Sequence, residues 1–222
     1  MTRNLKALGL ALGAVFALSA MAASSASAID TFTGPAGNVP ITGLSHDNKF
    51  EITGSGTRVE CTTAHFTSTV TSSSSNLTVN ATYTGRINET PHDPQECTIS
   101  GGSATVHMKT CDYDLTGKTT GSDLGTDAPV WITCTGTDEI TITTSFGATL
   151  KIPGQTPTSG GVIYINQAGK IQVKDTVTGI TYTCESAFLC GLAGIPTEGN
   201  NADYTGTLIA SSPAGNISYS ES

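Results

Sequence analysis

The sequence predicts an all-β fold, an antiparallel β-sandwich stapled by disulfides. Three observations carry that expectation: apolar residues recur at every second position, Gly/Pro/Ser/Asn clusters punctuate the runs at short intervals, and six cysteines lie downstream of an export signal.

The chain opens MTRNLKALGLALGAVFALSAMAASSASA. Arg3 and Lys6 form a positive n-region, an apolar h-region runs to about Ala23, and Ala26-Ser27-Ala28 reads as an A-x-A cleavage site. Residues 1–28 are therefore expected to be a signal peptide, leaving 29–222 as a single secreted β-sandwich domain that begins at Ile29. A split near residues 117–128 is the alternative organisation. No later apolar run reaches the roughly 18 residues of a membrane helix, so no membrane span is expected in the mature chain.

The strands are read in order from their alternation. Lys49–Ile52 and Thr57–Phe66 come first. In NLTVNATYTG, Leu77, Val79, Ala81 and Tyr83 share one face while Thr78, Asn80 and Thr82 take the other. Ala104–Met108 and Cys111–Leu115 follow, then VWITC with Val130, Ile132 and Cys134 aligned. Next come EITIT, ATLKIPG and GVIYIN; the last is apolar on both faces and reads as a central strand covered on both sides. KIQVKDTV aligns Ile171, Val173 and Val177, with Asp175 in the same register. GITYTC aligns Ile180, Tyr182 and Cys184, and Tyr204–Ala210 completes the set. Turn clusters such as TGSGT, TSSSSN, ETPHDPQE, PGQTPTSGG and PTEGNN separate the runs. Only ESAFLCGLAG offers a helical turn or two. Open alternation with Thr on the outer face favours a sandwich over a barrel.

An even cysteine count in an exported chain reads as a disulfide framework. Six cysteines allow fifteen pairings, and proximity selects Cys61–Cys97, Cys111–Cys134 and Cys184–Cys190. The segment ESAFL is long enough to turn back and bring Cys190 to Cys184.

Charge narrows the partners. The chain has 10 basic and 18 acidic residues, a formal charge of −8. Removal of Arg3 and Lys6 makes it more acidic still. Such a surface repels phosphate backbones, so no nucleic acid is expected.

The strand succession VECTTAHF, SATVHMKTCDY, VWITCTGTDEITIT with LKIPGQ, GGVIYIN, VTGITYTC and YTGTLIAS resembles that of uncharacterised secreted proteins of soil actinobacteria. The resemblance runs over about residues 50–212. It implies secretion and a β fold, and it implies no activity. Members often carry a further cysteine in the strand that here reads TTSFGATLKI; this chain has Cys184 and Cys190 close together instead.

Motifs with chemistry are sparse. Cys-x-x-Cys, His-Glu-x-x-His and Gly-x-Ser-x-Gly are absent. His46, His65, His92 and His107 are scattered and read as surface residues. Asp112, Asp114, Thr116, Gly117 and Asp123 match positions 1, 3, 5, 6 and 12 of a calcium loop. Yet Cys111, Tyr113 and Leu115 alternate with the two acids as in a strand, so no metal site is expected. Trp131, the one tryptophan, points opposite Val130 and Ile132 and is the candidate platform for a sugar ring. Asp175 would be a buried acid if its strand stayed regular; a bulge or strand end placing it in water is the expectation.

The expected role is that of a non-catalytic extracellular or cell-surface module, with no cofactor and an unknown extracellular or cell-wall ligand. The alternatives are a secreted hydrolase with paired loop carboxylates, and a glycan- or calcium-binding module.

Overall fold

The structure, a computed structural model, describes residues 30–84, 97–116 and 128–220. The expected signal peptide lies outside them, as do His92, Gly117, Asp123 and most of the proposed split point. Among the described residues the chain forms thirteen strands and one short helix. In order they are β1 Thr31–Ile52, β2 Thr57–Ser74, β3 Asn76–Thr84, β4 Cys97–Ile99, β5 Gly102–His107, β6 Cys111–Thr116 and β7 Val130–Cys134. There follow β8 Glu139–Thr144, β9 Thr149–Pro153, β10 Ser159–Gln167, β11 Lys170–Glu185, α1 Ala187–Leu192, β12 Glu198–Ser211 and β13 Ser218–Ser220. No described helix is long and apolar enough to cross a membrane.

The fold is all-β, but the sandwich expectation gives way to a barrel. Four long strands lie side by side in the order β2-β1-β12-β11, all antiparallel. At one end β2 pairs β4 and β11 pairs β9, and β5 and β8 join these two. Because β1 also pairs β2 from Phe32↔Ser74 to Ile52↔Thr57, the path closes on itself as an eight-stranded barrel. At the other end β3 takes over from β4 beside β2, and β10 takes over from β9 beside β11. There β6 and β7 extend the wall from β3, and Ala128 exchanges two backbone hydrogen bonds with Val162 of β10, at 2.9 and 2.8 Å. Alternation alone could not separate the two architectures, because both bury every second residue. Closure is decided by which edges meet, and it removes the exposed edges a sandwich would keep.

The inward faces match the sequence pattern closely. Leu77, Val79, Ala81 and Tyr83 are buried while Thr78, Asn80 and Thr82 are exposed. Ile171, Val173, Val177, Ile180 and Tyr182 are buried on β11. The sequence reads β11 as two runs; the structure makes one strand whose phase shifts at Gly179, φ 74°, where the register with β12 also slips. The N-terminal part of β1 carried no strand signal because Gly34, Pro35, Gly37 and Pro40 interrupt it. Pro40 pairs Thr69 of β2 beyond the last β12 partner at Thr42, where a missing N–H removes no β12 ladder bond.

β10 corrects a second expectation. It pairs along its length with β11, meets Ala128 on its other edge only at Val162 among the described residues, and leaves Ile163 and Ile165 46% and 37% exposed. Val162 is buried, so GVIYIN is a one-sided strand and not a central one. His107 is exposed as expected. The disulfides join Cys61–Cys97 across β2 and β4, Cys111–Cys134 as facing residues of β6 and β7, and Cys184–Cys190 between β11 and α1. The last spans 6.2 Å between Cα atoms and fastens a helix whose Phe188 and Leu192 remain exposed.

Candidate interior binding site

The barrel interior holds a cavity of about 70 Å³, walled almost wholly by hydrocarbon. Phe50, Val59, Phe66, Val106, Ile132 and Ile142 are among its lining residues. A second cavity of about 30 Å³ shares Phe66, Val79, Leu115, Val173 and Leu208 with the first, so the two adjoin along the barrel. The polar groups in the larger cavity come from five strands: Asn48, Tyr83, Tyr113, Asp175 and Tyr204.

Two local features bring these groups together. The first is a bulge in β1. His46 pairs Thr207 and Lys49 pairs Thr205, so Asp47 and Asn48 together oppose Gly206. Asp47 takes φ 57°, a conformation Asp tolerates better than most residues. The bulge flips the phase of β1: Ser45 faces inward before it, and Asn48, Phe50 and Ile52 face inward after it. Asn48 is thereby turned into the barrel, where its Oδ1 accepts from Ser45 Oγ at 2.7 Å and from the Tyr204 hydroxyl at 2.8 Å. Its Nδ2 donates to the Cys61 carbonyl at 3.3 Å.

The second feature is Gly206. A Cβ there would stand 2.9 Å from the Tyr204 hydroxyl and 3.0 Å from Asn48 Oδ1. Gly206 is also the residue facing Asp175 across the β11–β12 ladder. The missing side chain leaves room for the Tyr204–Asn48 hydrogen bond and for the carboxyl beside it.

Asp175 corrects the expectation that it escapes to water. Its register is regular, opposite Val162 and Gly206, and the bulge of β11 comes only after Val177. The carboxyl therefore points inward between Val173 and Val177. The side chain keeps some free surface, but it lines the cavity, and its inward register makes burial the governing fact. Burial raises the carboxyl from its ordinary 3.8 to about 7. No described residue hydrogen-bonds it, and no Lys, Arg or His lines the cavity.

The tyrosines around it hold their protons. Burial pushes Tyr113 up to about 12, with the Asp175 charge adding to the rise and the Tyr83 hydrogen bond opposing it. Burial raises Tyr83 and Tyr204 well above their usual range as well, followed by repulsion from Tyr113 for Tyr83 and from Asp175 for Tyr204. The Tyr83 and Tyr113 hydroxyls share a hydrogen bond of 2.9 Å, and Tyr113 also approaches the Met108 sulfur at 4.0 Å. The rings of Tyr83 and Tyr204 meet edge to face at 6.2 Å.

The other residues singled out from the sequence lie elsewhere. Asp112 and Asp114 sit on the outer face of β6. Asp112 accepts from Asn80 Nδ2 at 3.0 Å, and Asp114 accepts from Thr78 and Thr133 hydroxyls, each at 2.6 Å. Trp131 faces Asp114 across β6–β7 on that outer surface and is half-buried. An open groove of about 800 Å³ runs over the neighbouring surface, lined by Thr42, Thr67, Thr78, Asn80 and Asp112 among others; it does not reach Trp131. No group of three or more metal-ligating side chains occurs among the described residues. Asn48 and Gly206 carried no sequence signal, since one depends on a bulge and the other on the strand it faces. Asp175 did carry one, its place in the apolar register. No protein-family model matches the chain, and neither the curated proteins nor the solved structures provide a match.

Proposed function

We propose that the chain is a secreted, non-catalytic binding module of the extracellular space or cell surface, and that it binds a small, largely apolar ligand inside its barrel. The carrying observation is a hydrocarbon-walled cavity with one carboxyl that has no partner among the described residues, where a fully packed core would serve stability better. Three disulfides are compatible with an oxidising compartment, and the N-terminal export signal and the resemblance to secreted actinobacterial proteins support the same location. N-terminal sequencing of the exported protein should begin at Ile29. Binding is tested by titrating benzene or xenon against the methyl NMR spectrum. Saturable shifts should be confined to lining residues such as Val173 and Leu208. Shifts without saturation, or scattered over the surface, sink the reading.

A second reading, glycan binding, is favoured by the outer groove with its hydroxyls, Asn80 and Asp112. Binding on a glycan array that is lost in Asn80→Ala would support it. The hydrolase alternative needs two carboxyl groups in one cleft; among the described residues the cavity and the groove each carry one.

A further inference from the structure

We infer that the interior cavity is a binding site for a small alkylammonium ion, with its nitrogen against the Asp175 carboxylate and the tyrosine rings and its hydrocarbon against the aliphatic wall. This rests on the reading of the barrel interior as a ligand site and names the ligand class.

The donor and acceptor inventory carries the inference. With Tyr83 donating to Tyr113 and Tyr113 donating to the Met108 sulfur, every hydroxyl proton in the polar corner is committed. Tyr204 and Ser45 both donate to Asn48 Oδ1. The Asn48 amide donates to the Cys61 carbonyl. What remains for a ligand is acceptors: both oxygens of an ionised Asp175 and the lone pairs of the tyrosine oxygens. While Asp175 is ionised, a carboxylate or carbonyl compound would meet only like partners there. An ammonium supplies N–H donors and the missing positive charge together.

The walls agree with that choice. Among the described residues no basic side chain lines the cavity, so none of them offers the carboxylate a counter-ion. Aromatic rings from Tyr83, Tyr113, Tyr204 and Phe66 surround the polar corner, and such faces attract a cation away from water. Beyond them the surface is Val, Ile and Leu, which suits an alkyl chain. The space of about 70 Å³, with the adjoining 30 Å³, limits the ligand to a few heavy atoms.

The test compares three probes of one shape by calorimetry on the mature protein: isobutylammonium, isobutanol and isobutyrate, at pH 5 and pH 8. Among the described residues, Tyr113 on β6, Tyr164 on β10 and Tyr204 on β12 feel the Asp175 charge, and Tyr83 on β3 and neutral Asn48 on β1 line the same cavity. Burial raises all four tyrosines, so none ionises in this range. Isobutylammonium should bind at least tenfold more tightly than either other probe at pH 8, and should lose about tenfold at pH 5, where Asp175 holds its proton. Asp175→Asn should abolish the preference for the cation while still binding isobutanol, which also reports that the variant is folded. The wild-type pH comparison stands without any variant. Equal or tighter binding of isobutanol, with no pH dependence, overturns the alkylammonium assignment and leaves the cavity reading intact. Preference for isobutyrate overturns it as well. Binding of none of the three overturns both.

Discussion

Asp175→Asn should change the pH dependence of stability more than any other single substitution in the interior. In the folded protein the carboxyl titrates near 7, against 3.8 in its ordinary setting. Below about pH 4 both folded and unfolded chains hold the proton, and the group has no influence on folding. Between about 4 and 7 the unfolded chain ionises while the folded one keeps its proton, so stability falls as pH rises. Above 7 both forms are ionised and the penalty is constant. A difference of about three units at 1.36 kcal/mol each sets a ceiling of about 4 kcal/mol. Asn is neutral throughout and carries no such slope. Its amide has its own cost in a hydrocarbon wall, about 1–3 kcal/mol, but that cost does not vary with pH. The quantity to measure is therefore the stability of the variant minus that of wild type, by urea unfolding at pH 4, 6 and 8. It should climb by about 2–4 kcal/mol from pH 4 to pH 8, with most of the rise complete by pH 7. A difference that stays flat within about 0.5 kcal/mol would show that Asp175 is solvated or paired, and would refute the burial argument.

Three other outcomes follow from the packing. Gly206→Ala pushes a methyl against the Tyr204–Asn48 hydrogen bond and into the polar corner; stability should fall by about 1–3 kcal/mol in urea, and probe binding should weaken at least tenfold. Cys61→Ser should destabilise more than Cys184→Ser, because opening a separation of 36 residues removes about 4 kcal/mol of chain-entropy stabilisation against about 2 for a separation of six; the reverse ranking in thermal melts would make the α1 staple the more important bridge. The Tyr182 hydroxyl is buried with no hydrogen-bond partner among the described residues. Tyr182→Phe should leave stability unchanged or raise it by about 1 kcal/mol, and a loss greater than 1 kcal/mol would reveal a partner for that hydroxyl.

Local rules reached far into this protein. Side chains alternate with period two in any strand, so the buried faces of β3, β6 and β11 could be read from apolar spacing alone, including the outward placing of Asp112 and Asp114. Cysteine proximity pointed to the three bridges, and ESAFLCGLAG to the short turn of helix at Ala187–Leu192. In β1, where a bulge changed the phase, that logic failed. Asp47 shifts β1 by one residue and turns Asn48 inward, and no spacing rule marks the position.

The choice between sandwich and barrel belonged to the tertiary structure, because it depends on β1 meeting β2 on one side and β12 on the other. Alternation records which face of a strand is dry. It holds nothing about which edges close. The fate of Asp175 was of the same kind. Its position placed it on the apolar face, and a carboxylate on such a face ordinarily forces the strand to turn it outward. Here the chain opposite is Gly206, so the barrel leaves a space in which the carboxyl can stay, neutral below about pH 7 and open to a partner of opposite charge. That space is made by residues more than thirty positions away along the chain, and only their packing brings it into being.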